Sequence, residues 1–400
     1  MKARQFIEDL DLKGRRVLIR VDFNVPLDEN QKITDNARIV AALPSIRRII
    51  ESGGKCILMS HLGRPKGQRM ESMSLKPAAE ELSLLLEKNV SLAPDCIGSE
   101  VEKMVSQMKE GELLLLENLR FHQGETKNDP QFCEALARLG EVYINDAFGT
   151  AHRAHASTAG VAALMEDRAV GYLIRKELEF LGAAVLDPQK PFTAILGGAK
   201  VSDKIKVIER LMEKVDALII GGGMANTFLK AQGMEIGDSL LEEDALETAK
   251  NLLDEAKKSG VKIHLPVDVC SAQELLQEVE TKFLKVEDKV QAGWKILDIG
   301  PESVKQFGSV IQNSKTVLWN GPMGVFEYPA FASGTRGVTE ALAKATDAGA
   351  VSIIGGGDSA AAVNQFGMQD RITHISTGGG ASLEFLEGKE LPGVSVIPEK

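Results

Sequence analysis

Short apolar runs rich in β-branched residues alternate with longer amphipathic stretches along the whole 400-residue chain. These runs are residues 17–21, 55–59, 112–116 and 141–144 in the first half, and 192–196, 217–220, 261–265, 316–319, 351–354 and 373–376 in the second. Between them the apolar residues recur at helical spacing, so strands and helices follow one another. Such alternation predicts parallel α/β sheets covered by helices on both faces, with ligands bound in loops beyond the carboxyl ends of the strands.

The length of the chain exceeds what one hydrophobic core usually organises, so we expect two domains of about 200 residues each. Residues 172–187 have apolar side chains at helical spacing and are followed by Pro188 and Pro191. This segment could be a hinge helix that joins the domains, or one more helix that covers a sheet. The prediction is a first domain over residues 1–171, a hinge helix over residues 172–187 and a second domain over residues 188–388.

Composition and charge exclude several classes of protein. Hydrophobic residues make up 44% of the chain and charged residues 26%, as in soluble globular proteins, and the formal net charge of −10 argues against a general nucleic-acid binder. The start of the chain is too polar for a secretory signal, and no apolar run is long enough to span a membrane, so we expect a cytoplasmic protein. The four cysteines lie far apart and are expected to be small core residues.

Arginine is concentrated in the first part of the chain, where 13 of the 17 arginines precede residue 170. Arg64, Arg120 and Arg153 each follow a predicted strand, Arg38 lies in the helical stretch after the first strand, and His61 accompanies Arg64. One such arginine is usually a solvated surface charge. Four that meet at one sheet edge can bind a compact dianion through charge-assisted, often bidentate hydrogen bonds.

Polar residues also follow the first predicted strand. Asp22, Phe23 and Asn24 lie at its end, where a carboxylate and an amide could hold a substrate hydroxyl. A turn that continues through Pro26 explains the same residues equally well. Both interpretations remain open at the level of sequence.

Three glycine triplets each follow an apolar run in the second part of the chain, namely Gly221-Gly222-Gly223, Gly355-Gly356-Gly357 and Gly378-Gly379-Gly380. Glycine-lined turns can offer peptide N–H groups to phosphate oxygens. Lys200 and Lys204 follow another apolar run, and if a helix already includes both, they share a face and can approach one phosphate together. Lysines at a helix start oppose the helix dipole and so favour a bound anion, although two solvated lysines would give the same pattern.

Candidate nucleotide and metal ligands lie near the end of the chain. Asp358 and Ser359 follow the second triplet at a predicted helix start, where N–H groups would bind phosphate and the carboxylate would bind Mg²⁺. The same segment fits a Gly-x-Gly-x-x-Ala dinucleotide pattern only weakly, because residues 373–379 contain no acidic residue to hold a ribose, and the Walker pattern is absent from the sequence. The apolar loop at residues 319–327 suits a base, with Glu327 placed for ribose hydroxyls.

Four segments together closely resemble signature sequences of the phosphoglycerate kinase family. They are Val21-Asp22-Phe23-Asn24-Val25-Pro26, Ser60-His61-Leu62-Gly63-Arg64-Pro65, Gly197-Gly198-Ala199-Lys200-Val201 and Ser376-Thr377-Gly378-Gly379-Gly380-Ala381-Ser382. The resemblance extends from Val17 to a last strand expected at Val394. It implies two α/β domains, each around a parallel sheet, joined by a hinge helix, with residues 389–400 packing back on the first domain.

The same resemblance implies an activity and its partners. The reaction would be the reversible transfer of a phosphoryl group from 1,3-bisphosphoglycerate to MgADP, giving 3-phosphoglycerate and MgATP, a step of glycolysis. Mg²⁺ would be the cofactor, bound with the nucleotide. The resemblance alone leads us to expect a monomer, without nucleic-acid or membrane partners.

The resemblance also assigns roles by position. The catalytic residues would be Arg38, close to the carboxyl end of the substrate, and Lys200, which would stabilise the phosphoryl group in flight. The residues that would bind the glycerate substrate are Asp22, Phe23, Asn24, Arg38, His61, Leu62, Gly63, Arg64, Arg120 and Arg153. The residues that would bind the nucleotide are Lys204, Gly221, Gly222, Gly223, Ile296, Pro322, Glu327, Gly356, Gly357, Asp358 and Ser359. Asp358 would also bind the metal, and the N–H groups of Gly378 and Gly379 would face the transition state.

One position departs from the family pattern. Ile296 stands where many members of the family have a glycine that lines the base pocket, so the contacts to adenine are expected to differ there. The departure does not alter the expected reaction.

The implied mechanism needs no base or nucleophile from the protein, because the substrate carboxylate, or ADP in the other direction, is the attacking group. Since Arg38 and Lys200 belong to different predicted domains, we expect hinge closure to bring them to one cavity and to exclude water. Two alternatives are an NAD-dependent oxidoreductase that uses Gly355 and Gly357, and a nucleotide-binding module without catalysis. The first predicts NAD(H) binding, and the second predicts MgADP binding without turnover.

Overall fold

The structure, a computed structural model, describes residues 4–400. The chain divides into two compact units. The first unit contains the chain up to Glu179 together with Lys389–Lys400, and the second contains Phe180–Gly388. The boundary therefore falls inside the helix Tyr172–Leu186, within the segment from which the sequence predicts a hinge helix.

The first unit is built on a six-stranded sheet in which all neighbouring strands are parallel. Its strands are Arg16–Arg20 (β1), Lys55–Met59 (β2), Val90–Leu92 (β3), Leu113–Leu115 (β4), Val142–Asn145 (β5) and Asp167–Val170 (β6), in the order β3-β4-β2-β1-β5-β6. Its helices include Ala37–Glu51 (α1), Lys76–Leu86 (α2), Ser99–Gln107 (α3), Gln123–Lys127 (α4), Pro130–Ala137 (α5), Val161–Leu164 (α6) and the start of Tyr172–Leu186 (α7).

Burial on both faces explains the continuous apolar sequences of the central strands. Every residue of β4 and β5 is buried, as is every residue of β1 and β2 after the first. Helix α1 places Ile39, Ile46 and Ile49 on one face, and all three lie in the core of this unit. The sequence did not identify β3 and β6, because these edge strands are short or partly polar.

The second unit contains nine strands in chain order. They are Phe192–Leu196 (β7), Ala217–Ile220 (β8), Lys262–His264 (β9), Asp268–Ala272 (β10), Lys282–Lys285 (β11), Lys295–Ile299 (β12), Thr316–Asn320 (β13), Val351–Gly355 (β14) and His374–Ile375 (β15). Six of them form a parallel sheet in the order β15-β14-β13-β7-β8-β9. The helices are Ile205–Met212 (α8), Gly222–Ala231 (α9), Leu246–Ser259 (α10), Pro301–Gln312 (α11), Ser333–Asp347 (α12), Gly357–Gln365 (α13) and Gly380–Leu386 (α14).

A three-stranded antiparallel sheet, in the order β11-β10-β12, is an addition that the sequence did not predict. Three of the four residues of β11 are exposed, and two of those four are lysines. An antiparallel edge strand that faces solvent needs no continuous apolar run. The signal that identified the parallel strands was therefore missing here.

The last residues of the chain belong to the first unit. The Gln5 N–H donates to the Pro398 carbonyl at 3.0 Å, and Nδ2 of Asn145 donates to the Gly393 carbonyl at 2.7 Å. The strand expected at Val394 is wrong, because Pro392–Ser395 is a short helix (α15). Proline at the first position of that helix suits helical backbone and cannot donate to a sheet.

The prediction of two α/β parts, each around a parallel sheet, is confirmed. Within the described residues no helix has the length and apolar character needed to cross a bilayer. The four cysteines are described, and all are buried and free.

Each parallel sheet has a point where the strand order reverses. In the first unit β2 and β5 lie on either side of β1, and in the second β8 and β13 lie on either side of β7. The chain leaves neighbouring strands in opposite directions at such a point, and the gap between the loops is where parallel α/β sheets bind ligands. Several candidate residues follow these strands, such as Asp22 after β1 and Lys200 after β7, whereas Arg120 follows β4 and Asp358 follows β14.

Candidate active site

A cavity of about 510 Å³ in the first unit is lined by Arg64, Arg120 and Arg153. These three arginines come from different strand exits, as the sequence predicted. Lys66 and His155 also line this arginine-lined cavity, although the sequence analysis did not identify them. The cavity therefore offers several cationic donors to one small anion.

Arg120 keeps one buried donor without a partner. Its Nη1 donates to the Gly63 carbonyl at 2.7 Å, whereas its Nε is buried and makes no hydrogen bond. Burial, together with the charges of Arg153 and Arg20, lowers the pKa of Arg120 to about 10. A bound dianion would offset the repulsion and pair the free donor.

His61 lies among these charges as a neutral ring. Burial lowers its pKa well below the ordinary value, and the nearby arginines, of which Arg20 contributes most, act in the same direction. Nη2 of Arg20 lies 3.0 Å from Nδ1 of His61, so Nδ1 accepts and the proton of the neutral ring is on Nε2. His61 can thus donate one hydrogen bond to an anion without adding charge.

Asp22 and Asn24 form a hydrogen-bonded loop that holds Arg38. Nη1 of Arg38 donates to Oδ2 of Asp22 at 2.8 Å, and the Asn24 N–H donates to Oδ1 of Asp22 at 3.3 Å. The Gly63 N–H donates to Oδ1 of Asn24 at 2.9 Å, which ties together the loops after β1 and β2. Residues 21–26 therefore form an irregular loop held by side-chain hydrogen bonds, and a contact with a substrate hydroxyl stays a prediction.

Phe23 and Leu62 have buried side chains within the hydrophobic core of the first unit. The Phe23 N–H donates to Oγ of Ser60 at 2.8 Å. These side chains anchor the loops that carry the polar residues, so any contact with a ligand falls to their backbone. The sequence motifs contain polar residues that could bind a ligand and apolar residues that anchor the loop, and the sequence alone does not distinguish these two roles.

Arg20, which the sequence analysis left without a role, lies behind the cavity. Its Nε donates to Oγ of Ser157 at 2.8 Å, and its Nη1 donates to the Val21 carbonyl. Oγ of Ser157 donates in turn to the buried carboxylate of Glu125 at 2.6 Å, which supplies a nearby negative charge. The sequence signal for this residue was an arginine within an apolar strand. Burying an unpaired charge costs free energy, so such a residue is expected to have specific partners.

A second cavity, of about 340 Å³, lies in the second unit and has walls of glycine backbone and apolar side chains. The predicted nucleotide residues that line it are Gly222, Gly223, Ile296, Pro322, Glu327 and Asp358. Asn226, Lys295 and Asp298 add polar groups that the sequence analysis did not identify. An apolar enclosure with a few polar groups suits a small organic ligand.

The glycines around the glycine-walled cavity allow its loops to pack closely against one another. A Cβ on Gly197 would lie 2.1 Å from the Pro322 carbonyl oxygen, and one on Gly221 would lie 2.4 Å from Sδ of Met323. The Gly222 N–H donates to the Met323 carbonyl at 3.0 Å. The first triplet thus lets loops approach one another, and the Gly222 N–H is used within the protein in this conformation. The role of the triplet in binding a nucleoside stays a prediction.

Lys200 and Lys204 do not share a helical face. Helix α8 begins at Ile205, and the residues before it form a turn in which the Lys204 N–H donates to the Val201 carbonyl at 2.8 Å. The sequence placed both lysines on one face only if a helix includes both, and α8 includes neither. Lys200 is exposed on the loop that enters this turn.

Lys204 is directed to the end of β13. Its Nζ donates to Oδ1 of Asn320 at 2.9 Å. Burial lowers the pKa of its ammonium group, while the charges of Asp203 and Asp358 oppose that effect. An added phosphate would compensate the partly buried charge further.

The start of helix α13 has the features of a phosphate site. Gly356 precedes the helix with φ of 90°, a left-handed conformation that favours glycine, and the first-turn N–H groups follow it. Nδ2 of Asn320 is buried without a hydrogen-bond partner, 3.3 Å from where a Cβ on Gly356 would lie. Oγ of Ser359 accepts from the Gly321 N–H at 2.6 Å, so this hydroxyl already fixes the loop after β13.

The third triplet differs from the prediction at one residue. The Gly378 N–H donates to Oγ of Ser376 at 3.1 Å, and that hydroxyl is also hydrogen-bonded to Ser382 at 2.6 Å. Gly378 therefore uses its N–H within the loop in this conformation. The role of Gly379 toward a transition state stays a prediction.

Asp358 is the residue that fits a magnesium ion. Its exposed carboxylate lies in the first turn of α13 and at the wall of the glycine-walled cavity, and carboxylate oxygen is a preferred ligand of Mg²⁺. Asp95, Cys96 and His122 also have ligand atoms within 4.8 Å of one another. However, Nε2 of His122 already pairs with Oδ1 of Asp95 at 2.7 Å, and burial raises the pKa of the Cys96 thiol well above its ordinary value.

An arginine-lined cavity and a glycine-walled cavity beside a helix N-terminus are features expected of an α/β enzyme of the phosphotransferase class. A protein-family model described as phosphoglycerate kinase matches residues 7–389. This chain belongs to the phosphoglycerate kinase family. It is therefore a kinase-type phosphotransferase.

Individual relatives and solved structures agree with that family. The phosphoglycerate kinase of Chloroherpeton thalassium is 56% identical over 394 residues, which cover 98% of this chain and 99% of the relative. That of Clostridium tetani is 54% identical and covers 99% of this chain and 98% of the relative.

The structure of phosphoglycerate kinase from Coxiella burnetii has a TM-score of 0.89 at 43% identity, covering 98% of each chain. That from Pyrococcus horikoshii has a TM-score of 0.85 at 34% identity, covering 99% of this chain and 98% of the other. Nothing in these comparisons supports an NAD-dependent oxidoreductase or a non-catalytic module.

Proposed function

We propose that the two cavities hold the two substrates of reversible phosphoryl transfer between 1,3-bisphosphoglycerate and MgADP. The glycerate substrate binds through its non-transferring phosphate in the arginine-lined cavity, and the nucleotide binds in the glycine-walled cavity. The observation that carries this proposal is the unpaired, buried Nε of Arg120 within a cluster of arginine charges. A dianion with several acceptor oxygens is the ligand that satisfies both features.

In the direction of ATP consumption, a carboxylate oxygen of 3-phosphoglycerate attacks the γ-phosphorus of ATP. The new oxygen–phosphorus bond gives the acyl phosphate, and the bond to the β-phosphate oxygen breaks to leave ADP. The nucleophile is already ionised, so the protein moves no proton. Its task is to place the groups in line and to stabilise the negative charge on the migrating phosphoryl group.

Arg38 and Lys200 are the residues proposed to stabilise that charge. Arg38 is oriented by its 2.8 Å hydrogen bond to Asp22, and its side chain is 41% exposed, which leaves donors for a ligand. Lys200 is an exposed cation that follows Ala199, a residue lining the glycine-walled cavity. Asp358 would hold Mg²⁺, which when bound supplies positive charge to the nucleotide phosphate oxygens.

Hinge bending, the monomeric state and the cytoplasmic location belong to the same proposal. The family membership and the helix α7, within which the boundary between the units falls, support a hinge. Closure when both substrates are bound would exclude water, and so would prevent loss of the phosphoryl group to hydrolysis.

A coupled assay with 3-phosphoglycerate and MgATP tests the proposal. We expect activity in the parent protein and a loss of about 10²-fold or more in kcat for Lys200→Ala and for Arg38→Ala, because each removes a charge that acts in the transition state. The controls are Lys206→Ala on α8 and Arg48→Ala on α1, which remove exposed charges outside both cavities. A folded parent without turnover would overturn the assignment.

A further inference from the structure

The carboxylate of Glu242 binds the loop that follows Lys200. It accepts hydrogen bonds from the N–H of Val201, from the N–H of Ser202 at 3.1 Å and from Oγ of Ser202. One side chain, 40 residues away in sequence, thus collects three donors from two consecutive residues. Charged acceptors make stronger hydrogen bonds than neutral ones, so this is a firm attachment for the loop after Lys200.

The charge of Glu242 is maintained by these partners. Burial acts to raise its pKa, but the hydrogen bonds from Ser202 and Val201, together with the charge of Lys200, outweigh it and hold the pKa below its ordinary value. Glu242 is therefore ionised at neutral pH. Its negative charge lies close enough to Lys200 to influence where the ammonium group rests.

The other side of Glu242 is fixed to helix α9. The Glu242 N–H donates to Oγ1 of Thr227 at 3.3 Å, and Nδ2 of Asn226 donates to the Leu240 carbonyl at 3.2 Å. Both α9 residues are buried, with 1% of their surface exposed. Since α9 begins at the triplet that lines the glycine-walled cavity, Glu242 connects the wall of that cavity to the Lys200 loop.

We propose that Glu242 is a positioning residue for Lys200. It does not line the cavity itself, and it acts by holding the Val201-Ser202 backbone so that Lys200 projects from a fixed point. Before Lys200 the loop is fixed by the Gly198 N–H, which donates to the Pro322 carbonyl at 3.0 Å, and Glu242 fixes the loop on the other side of Lys200. The inference rests on the proposed role of Lys200 in phosphoryl transfer.

A double-mutant cycle tests whether Glu242 acts through Lys200. In the parent background we expect Glu242→Ala to lower kcat roughly tenfold to a hundredfold, with KM for 3-phosphoglycerate little changed, because a displaced catalytic group costs rate even when the substrate still binds. In the Lys200→Ala background the same substitution is expected to lower kcat less than twofold. Equal losses in both backgrounds, or no loss in the parent, would overturn the proposal.

Two variants and a separate measurement complete the test. Glu242→Gln keeps an acceptor oxygen and is expected to retain more activity than Glu242→Ala, while the neighbouring Glu243→Ala, which removes an exposed carboxylate, should resemble the parent. Amide hydrogen exchange at Val201 and Ser202 should accelerate at least about tenfold in Glu242→Ala, since the acceptor is lost. Unchanged exchange would refute the attachment, and this readout needs no turnover, so it is independent of the proposed function.

Discussion

Arg120 and Asn320 each bury a donor that the protein leaves without a partner, Nε in one and Nδ2 in the other. A buried polar group in this state costs about 1–3 kcal/mol. One of these donors lies at the arginine-lined cavity and the other at the start of α13. The proposed phosphates would pair both and remove that cost.

Gly197 shows how one residue can be required for packing alone. Replacement by alanine would place a Cβ 2.1 Å from the Pro322 carbonyl oxygen, and backbone atoms cannot turn aside as a flexible side chain can. We expect Gly197→Ala to lower the free energy of unfolding by about 2 kcal/mol or more, measured by urea denaturation. Gly357→Ala is the control, because a Cβ there would meet no atom within 4 Å, and its effect should stay within about 0.5 kcal/mol. Equal stabilities of the two variants would contradict the packing argument.

At the scale of secondary structure, helix α7 begins on a buried carboxylate. Oδ1 of Asp146 accepts from the N–H groups of Leu173 at 2.9 Å and Ile174 at 3.3 Å, which have no partner within the first turn of a helix. Burial raises the pKa of Asp146 to about 7, although these hydrogen bonds act to lower it. The start of the proposed hinge helix is thus coupled to the protonation of one side chain.

This coupling predicts a pH-dependent effect of Asp146→Asn. Below about pH 4 the carboxyl group is neutral in both the folded and the unfolded parent. Between about pH 4 and pH 7 the unfolded form ionises while the folded form keeps its proton, so this group's contribution to parent stability falls, by up to roughly 4 kcal/mol. The variant lacks this group, so its stability relative to the parent should rise over that interval and level off above it. Urea denaturation from pH 4 to pH 8 measures the difference, and a difference independent of pH would refute the raised pKa.

At the scale of the whole molecule, both units use one topological device. Each parallel sheet reverses its strand order once, beside β1 in the first unit and beside β7 in the second. The loops after these strands carry Asp22 and Gly197, so each unit places its ligand-binding loops where the chain diverges. In the proposed function, the same architecture serves an anion in one unit and a nucleotide in the other.

The proposed hinge predicts a change in overall size. With 3-phosphoglycerate and a non-hydrolysable MgATP analogue together, we expect the radius of gyration from small-angle X-ray scattering to fall below that of the free protein. Either ligand alone should produce a smaller change, because only the pair gains contacts from closure. A radius of gyration unaffected by the pair would contradict the hinge.

The sequence alone was sufficient for the parallel strands other than β3 and β6 and for the loops that follow them. These depend on local patterns, such as an apolar run that ends at Arg20 or Asn320, and a chain segment keeps such a pattern wherever it packs. Strand β11 of the antiparallel sheet had no such pattern, because it faces solvent and alternates little.

Only the tertiary structure decided which donors remain free and which loops are held. Gly222 and Gly378 carry the same sequence signal as Gly356, yet their N–H groups are taken by Met323 and Ser376. Glu242 reaches the Lys200 loop across 40 residues of sequence. Hydrogen-bond partners of this kind are set by loops that meet in space, and because each partner depends on the placement of every other, no local pattern can specify them.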